Sequence, residues 1–470
     1  MSPAMPLERF DLCVIGAGSA GLSIAAGAQQ MGARVALIEK GLMGGDCLNY
    51  GCVPSKALLA AARRVAEAAH WPAFGLGGAA PAVDFAGVMR HVHEVIAAIA
   101  PNDSVERFEG LGVTVIQAEA RFLGPDRVQA GGRIIAAKRF VLATGSRPAA
   151  PPIPGLTEGG YLTNETVFAL RERPRHLLVL GGGPIGCELA QAFRRLGSAV
   201  TLVELDRLLP KDDPELAQLV RERLLAEGVT LHEKSKAVAV AAGPRVTIEG
   251  PGGRQELAGS HLLLALGRWP DYGGLDLAAA GVELKDGRPV LDRGLRTTNR
   301  RIYAAGDAAG GLQFTHLAGA HAGIVIRRAL FRLPARADRL VVPWVTYCDP
   351  ELASVGQLGA DAARHRVLRW SFHDNDRAQA ERRTAGLIKV VTTKRGRVLG
   401  AAIAGPEAGE LILPWVLAVA GRLKLAALAS AVAPYPTLSE VSKRAASSFY
   451  APALFGSRTR RLVRWLLRLP

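Results

Sequence analysis

The chain has 470 residues, of which 49% are hydrophobic and 21% are charged, and its formal net charge is +16. These proportions exclude a disordered chain, a collagen, a coiled coil and a disulfide-stapled miniprotein. An enzyme, a nucleic-acid binder and a membrane-surface protein remain, because a large positive charge is compatible with each of them.

The cysteines and the apolar runs indicate the compartment. Five cysteines do not make a disulfide framework in a chain of this length, and only Cys47 and Cys52 lie close together. This usage predicts a reducing compartment with one special pair. No signal peptide precedes Gly16, and no apolar run of about 18 residues is present. We therefore expect a cytoplasmic protein that does not span a membrane, with peripheral contact at the inner membrane face as an open alternative.

The first predicted element is a buried parallel strand over residues 12–15, followed directly by a GxGxxG loop. In such a loop Gly16 makes the tight turn, Gly18 lets a pyrophosphate approach the backbone, and Gly21 lets helix and strand pack. The next predicted strand ends at Glu39, whose carboxylate can accept hydrogen bonds from a ribose diol. The segment therefore predicts a dinucleotide-binding unit.

Residues 44–56 read GGDCLNYGCVPSK and predict redox chemistry. Cys47 and Cys52 can meet across one turn and form a disulfide. We expect a helix to begin at residues 54–55, and its N-terminus together with Lys56 would lower the pKa of a thiol. Two buried small side chains or a metal site are the alternatives, although no second cysteine pair or spaced histidine completes a metal site.

Residues 176–204 repeat residues 11–39 at a constant offset of 165 without a gap. The repeated glycines and the repeated acid are Gly181, Gly183, Gly186 and Glu204. One chain is therefore predicted to bind two dinucleotides. The carboxylate of Glu204 would repel a 2′-phosphate, which favours NADH over NADPH, while the neighbouring Arg207 argues for the opposite preference.

The cysteine segment resembles the active-site segment of the class I pyridine nucleotide-disulfide oxidoreductases. This family includes glutathione reductase, dihydrolipoamide dehydrogenase and mercuric reductase, and the chain is most similar to its mercuric-reductase-like members. The resemblance covers residues 8–452, and further matching segments follow in order at residues 143–145, 266–268, 304–307, 312–316, 346–356 and 436–440.

The resemblance implies an α/β fold with two Rossmann-like dinucleotide-binding domains, for FAD and NAD(P), and an α+β C-terminal dimerisation domain. The boundaries we expect are 1–150 and 271–340 for the FAD-binding domain, 151–270 for the NAD(P)-binding domain, 341–452 for the dimerisation domain and 453–470 for a tail. The same resemblance implies a homodimer with a small-molecule electron acceptor. We expect no nucleic-acid partner, because the sequence has no helix-turn-helix, zinc-finger or RNA-recognition signature.

The resemblance also implies a relay from NADH through FAD to a Cys47–Cys52 disulfide. Cys52 would be the thiol nearer the flavin, and Cys47 would exchange with the acceptor. Lys56 would lie beside flavin N5, and Glu188 would pair with it. The other residues assigned to the cofactors are Thr144, Gly145, Gly306 and Asp307 for FAD, and Gly267 and Arg268 in the segment that closes the second dinucleotide domain.

The C-terminal motif departs from part of the family. Tyr435 stands where glutathione reductase and dihydrolipoamide dehydrogenase have a histidine, while Glu440 is retained. The resemblance implies that both reach the partner subunit's cysteines. A free tyrosine titrates near pH ~10 and a free histidine near ~6.5, so a neutral tyrosine is a poor general base at neutral pH. Efficient turnover of a disulfide such as glutathione or lipoamide is therefore not expected.

The electron acceptor stays open. Mercuric reductase also carries a tyrosine at that position, but no cysteine follows Cys348 here and no CxxC precedes Gly16. A low-molecular-weight disulfide, a quinone and a metal ion are the candidates. The alternatives for the whole chain are mercuric reductase or dihydrolipoamide dehydrogenase proper, or a membrane-docked electron donor to a quinone or a protein. We expect Cys13, Cys187 and Cys348 to be structural.

The last predicted element is a short basic amphipathic helix within residues 457–470. Leu462, Trp465, Leu466 and Leu469 follow the i, i+3, i+4, i+7 spacing, and arginines occupy the other side. The helix could lie on an anionic membrane surface or dock on the dimer's own surface.

Overall fold

The computed structural model describes residues 6–470, which form two compact units. The first contains the residues up to Gly181, Arg195–Ala199 and Ala237–Leu340. The second contains Gly182–Arg194, Val200–Lys236 and Val341–Pro470. Each unit is therefore assembled from separate stretches of the chain.

A seven-stranded sheet forms the centre of the first unit. Its strands, in spatial order, are Thr114–Gln117, Val35–Glu39, Leu7–Ile15, Arg133–Leu142, Arg127–Ala130 and Ala120–Gly124, with Ile302–Ala304 pairing beside Arg133–Leu142. Leu7–Ile15 pairs in parallel with both of its neighbours. This order places the first glycine loop at the carboxyl end of the central strand, where open α/β sheets bind ligands.

The remaining elements of the first unit surround this sheet. The helices are Ser19–Gln30, Gly45–Asn49, Cys52–Glu67, Phe85–Ile99, Val105–Gly110, Leu156–Gly159 and Thr315–Ala329, and the 3-10 turns are Ala68–Phe74, Ala100–Asp103, Val167–Ala169, Gly306–Ala309 and Ala337–Arg339. The paired strands are Ser146–Pro148 with Arg268–Pro270, Leu284–Lys285 with Arg288–Pro289, and His176–Leu180 with His261–Leu264. A further three-stranded sheet contains Lys236–Ala241, Arg245–Gly250 and Gly253–Ala258.

The central strand is buried on both faces. Leu12 and Val14 pack into one apolar cluster and Cys13 and Ile15 into another, and all four side chains are at most 4% exposed. A continuous apolar run of this kind is typical of a parallel strand covered on both sides. Burial stabilises the fold by roughly 1.5–3 kcal/mol for each large aliphatic side chain.

An antiparallel five-stranded sheet forms the core of the second unit, in the order Pro343–Thr346, Glu351–Gly356, Val398–Gly405, Leu387–Thr393 and His365–Ser371. The helices are Pro184–Arg195, Pro214–Ala226, Asp376–Ala380, Ala408–Leu411, Leu413–Val419, Leu425–Ser430, Glu440–Ser448, Ala451–Leu454 and Ser457–Leu466, with a 3-10 turn at Phe372–Asp374. Ala199–Val203 and Thr230–His232 form a parallel pair. The buried Trp415 donates its indole N–H to Ser442 Oγ at 3.0 Å, which ties the helix carrying Glu440 to the core.

The predicted strands of both dinucleotide units and the basic helix in the tail are confirmed. The predicted helix start at residues 54–55 is wrong, because the helix begins at Cys52 and the Ser55 amide already donates to Gly51 O. Pro54 fits this first turn since an amide there needs no partner within the helix. Cys13, Cys187 and Cys348 are buried, as expected of structural cysteines. Within residues 6–470, no helix is long and apolar enough to cross a bilayer.

Candidate active site

The two cysteines of the predicted redox pair lie on consecutive short elements. Cys47 sits in the helix Gly45–Asn49 and is half-buried, while Cys52 is the first residue of the helix Cys52–Glu67 and is exposed. Both are free thiols, and the Cys47 thiol hydrogen-bonds to Cys52. The spacing predicted from the sequence therefore brings the two sulfurs together.

The surroundings of the pair make the two thiols unequal. The hydrogen bond from Cys47, a second from Thr315 and the nearby charge of Lys56 lower the pKa of Cys52 to about 6. The same hydrogen bond and burial raise the pKa of Cys47. Thr315 Oγ1 lies 3.4 Å from Cys52 Sγ. Cys52 is therefore a thiolate at neutral pH, and Cys47 keeps its proton.

Lys56 and Glu188 are positioned by different elements. Lys56 lies one turn after Cys52 on the same helix, and its Nζ is 3.4 Å from Ser55 Oγ. Glu188 lies in the helix Pro184–Arg195, is 4% exposed, and accepts a hydrogen bond from the Tyr347 amide at 2.9 Å. The pairing of Lys56 with Glu188 stays a prediction.

The two glycine loops share their local geometry. Gly16 and Gly181 have φ of +104° and +110°, and a Cβ on either would lie 2.3 Å from the carbonyl oxygen of Ala143 or Ala265. Only glycine fits these turns. A Cβ on Gly183 would meet nothing within 4 Å, and one on Gly18 only Gly45 at 3.9 Å. The middle glycine of each loop thus borders open space, as a pyrophosphate site requires.

The third glycine of each loop, Gly21 or Gly186, lies in the first turn of the helix that the loop leads into. A Cβ on Gly21 would lie 1.8 Å from Gly16 O, so helix and loop pack in direct contact. Gly186 is buried in the helix Pro184–Arg195 at the corresponding position of the second unit. The repeat in the sequence is therefore a repeat in structure.

The acid at the end of each second strand supports its own glycine loop. Glu39 accepts hydrogen bonds from the Ala17 and Gly41 amides at 2.6 and 2.7 Å. Glu204 accepts from the Gly182 and Asp206 amides at 2.6 and 2.9 Å. Each carboxylate oxygen keeps a lone pair for a further donor, so the predicted contact with a ribose diol is compatible with this geometry.

Arg268 joins several segments of the first unit. Its guanidinium, 11% exposed, donates to Asp46 Oδ1 and Asn164 Oδ1, each at 2.9 Å, and to the hydroxyl and carbonyl of Ser146, each at 2.8 Å. Ser146 Oγ in turn donates to Asp307 Oδ2 at 2.5 Å. The residue before Cys47 is therefore linked through Arg268 to the predicted FAD ligand Asp307.

Residues in the first unit fit a bound FAD. Thr144 Oγ1 is buried and has no hydrogen-bond partner within residues 6–470, so a ligand can satisfy it. Gly145 and Gly306 have φ of +70° and +62° and carry no side chain into this region. Burial raises the pKa of Asp307, while Ser146 and Arg268 lower it. Gly267, with φ of +100°, makes the turn that leads into Arg268.

Tyr435 and Glu440 lie in the second unit. The Tyr435 hydroxyl donates to Asp376 Oδ2 at 2.9 Å, and its side chain is 71% exposed. The hydrogen bond to Asp376 raises the pKa of Tyr435, with a smaller effect from Glu440. Glu440 begins the helix Glu440–Ser448. The tyrosine is therefore a hydrogen-bond donor at neutral pH and not a base.

Sequence reasoning missed three polar residues around the pair: Asp46, Asn164 and Thr315. Asn164 donates to Asp46 Oδ1 at 2.9 Å and to the Tyr50 carbonyl at 3.2 Å. Thr315 lies in the segment 312–316 that resembles the family, and this resemblance could have identified it. Asn164 lies in no matching segment, so the sequence held no signal for it. Within the described part of the chain, no group of three or more histidine, cysteine or acidic side chains could hold a metal ion.

The fold and the dithiol define a redox enzyme built for two dinucleotides. Residues 10–322 match the family described as pyridine nucleotide-disulphide oxidoreductase, and residues 342–446 match its dimerisation domain. The chain belongs to this family. It is therefore a flavoprotein oxidoreductase that depends on FAD and a pyridine nucleotide, and its dimerisation domain supports a homodimer.

Known relatives cover nearly the whole chain. It is 36% identical to a mercuric reductase from Streptomyces lividans and 34% identical to a dihydrolipoyl dehydrogenase from Bacillus subtilis. Each comparison covers 94% of this chain and 96% of the relative. A solved structure, the HOCl-induced flavoprotein disulfide reductase RclA from Escherichia coli, matches with a TM-score of 0.83 and 28% identity, over 93% of this chain and 99% of RclA.

Proposed function

We propose that this enzyme passes electrons from NADH, through FAD, to the Cys47–Cys52 disulfide and from there to a small acceptor. The observation that carries the proposal is the unequal thiol pair, in which Cys47 donates a hydrogen bond to a Cys52 whose pKa is lowered to about 6. When bound, FAD would supply two-electron transfer between the nicotinamide and the disulfide.

Different residues of the chain stabilise the thiolate and hold the proton when the disulfide is reduced. Two electrons and one proton convert the Cys47–Cys52 disulfide into a Cys52 thiolate and a Cys47 thiol. The Thr315 hydroxyl and Lys56 stabilise the thiolate. Cys47, whose pKa is raised, keeps the proton until an acceptor arrives. Attack by Cys47 then requires that this proton leave.

Tyr435 cannot take that proton at neutral pH, because its pKa is raised by Asp376. The acceptor is therefore one that receives the proton itself or binds the sulfur directly. A thiophilic metal ion and a reactive small disulfide meet this requirement better than glutathione disulfide does.

We propose NADH as the preferred donor. The guanidinium of Arg207, the cation that could have held a 2′-phosphate, donates to four backbone carbonyls, at Leu208, Leu209, Pro210 and Asp212, over 2.8–3.3 Å. Glu204 then faces the ribose without a partner cation from Arg207. The ratio of kcat/KM for NADH over NADPH should exceed about tenfold, equivalent to ~1.4 kcal/mol, and a preference for NADPH would contradict the proposal.

The acceptor is tested by a screen with NADH and oxidised glutathione, lipoamide, a quinone or Hg(II). Wild type is compared with Cys47→Ser. We expect the best acceptor to be reduced by the wild type and not by Cys47→Ser, because it reacts at this sulfur. If Cys47→Ser reduces that acceptor at the wild-type rate, electrons bypass the pair and the relay is wrong.

A further inference from the structure

The C-terminal helix Ser457–Leu466 and the residues after it present an unpartnered amphipathic surface, which we call the tail surface. Every described side chain from residue 460 to residue 470 is exposed. The apolar residues Leu462, Val463, Trp465, Leu466, Leu467 and Leu469 are 46–79% exposed. The surface also lies beyond residue 446, where the match to the dimerisation domain ends.

The tail surface carries an apolar stripe, and most of its helical arginines lie away from that stripe. At 100° per residue, Leu462, Trp465 and Leu466 fall on one side of the helix. Arg460 and Arg464 fall on the opposite side and Arg461 lies at its flank, while Arg458 falls on the apolar side and Arg468 follows the end of the helix. No acidic residue follows Glu440 in the sequence. The helix therefore offers an apolar stripe bordered by uncompensated positive charge.

The Thr459 hydroxyl fixes the start of this helix by donating to the Ala453 carbonyl at 2.8 Å. The Leu467 amide donates to Val463 O and closes the last turn. The helix is therefore formed although its own chain does not cover its apolar stripe. A large exposed apolar surface next to polar residues marks an interaction site.

We propose that the tail surface binds the surface of an anionic lipid bilayer. The apolar stripe would enter the boundary between headgroups and acyl chains, and the arginines would contact the lipid phosphates. The family's dimerisation domain supports a homodimer, which carries two tails. Binding through both tails would be stronger than through one, since the second contact is intramolecular.

The charge of the molecule favours an anionic bilayer over a second copy of this chain or a nucleic acid as the partner of the tail surface. A second copy of this chain also carries +16, so five arginines gain little from docking on it. A nucleic acid would satisfy the arginines but would leave Leu462, Trp465 and Leu466 in water. An anionic bilayer offers both the negative charge and the apolar phase.

The test is co-sedimentation of the full-length holoenzyme with vesicles, without NADH or acceptor. One set of vesicles is phosphatidylcholine alone, and the other also contains phosphatidylglycerol. We expect binding to the anionic vesicles that weakens with added salt, because the electrostatic part is screened. Since no turnover is involved, the outcome is independent of the proposed electron relay.

Two sets of substitutions separate the electrostatic from the apolar contribution to vesicle binding. Glutamine is the replacement because its helix propensity is high enough to keep the helix. Arg460→Gln with Arg461→Gln and Arg464→Gln should lower partitioning into anionic vesicles by about a hundredfold at low salt, since each arginine contributes roughly a factor of five. Leu462→Gln with Trp465→Gln should abolish the binding that persists at high salt.

The matched control removes three exposed charges elsewhere, with Lys394→Gln, Arg395→Gln and Arg397→Gln. This variant should bind like wild type, and equal losses from both triple variants would overturn the proposal. Binding to neutral and anionic vesicles alike would also overturn it. A third result would overturn it as well: wild type does not bind vesicles, and the Leu462→Gln, Trp465→Gln variant sediments as a monomer instead of a dimer. The tail would then form part of the contact with the second copy of the chain.

Discussion

At the residue scale, the main effect is the ionisation of one sulfur. A thiol normally titrates near pH ~8.5, whereas the pKa of Cys52 is lowered to about 6. Hydrogen bonds that favour the charged form lower the pKa of a thiol, and the two donors here are Cys47 and Thr315. The thiolate is therefore present above pH 6 and lost as the pH falls below it.

Thr315→Val should raise the pKa of Cys52, because it removes one donor to the thiolate without changing the shape of the side chain. In the reduced enzyme, the long-wavelength absorption from the thiolate to the flavin should titrate with a midpoint at about pH 6 in wild type. The midpoint should move upward in Thr315→Val and stay near wild type in Thr315→Ser. An unchanged midpoint in Thr315→Val would show that the hydroxyl does not stabilise the thiolate.

Tyr435→His should raise disulfide reductase activity, because an imidazole can accept the proton of Cys47 near neutral pH. General base catalysis contributes about 10²- to 10⁴-fold, and we expect at least the lower part of this range with oxidised lipoamide. Tyr435→Phe should change that activity little, since the tyrosine is not acting as a base. The assay is NADH oxidation over a range of pH. Equal rates in all three enzymes would contradict our account of the proton.

At the scale of elements, Arg268 connects three parts of the first unit that are far apart in sequence. Arg268→Gln should lower the free energy of unfolding by about 1.5–3 kcal/mol, as expected for lost hydrogen bonds to charged groups. Urea unfolding monitored by flavin fluorescence measures it. Arg364→Gln, whose side chain is 83% exposed, is the control and should change stability by less than about 0.5 kcal/mol. Similar midpoints for the two variants would mean that the Arg268 contacts add no stability.

The elements differ in how far the sequence predicts them. The glycine loops and their acids were predictable, because each unit is local and occurs twice. The meeting of Cys47 and Cys52 was predictable because only four residues separate them in the sequence. The contact of Arg268 with Asp46 was not, since 222 residues separate them and no local pattern records the contact. The start of the helix at Cys52 was missed because Pro54 resembled a first helical residue. The domain boundaries stay proposals.

At the scale of the whole molecule, the single chain leaves large apolar side chains exposed, and we expect the homodimer interface to cover them. Val432 is 95% exposed, and Leu454 and Phe455 are 59% and 63% exposed. Val432→Asp combined with Phe455→Asp should shift the protein from dimer to monomer in sedimentation velocity, because the charges would be buried unpaired. Leu123→Asp, on an exposed position of the first unit, is the control. If the double variant remains dimeric, the dimer interface lies elsewhere.

The relay through Cys52 is tested most directly by anaerobic titration of the purified holoenzyme with NADH. A long-wavelength absorption band from the Cys52 thiolate to the flavin should appear as the disulfide becomes reduced. The band should be absent from Cys52→Ser under the same conditions. A band of equal intensity in Cys52→Ser, or no band in the wild type at pH 8, would contradict the proposed relay.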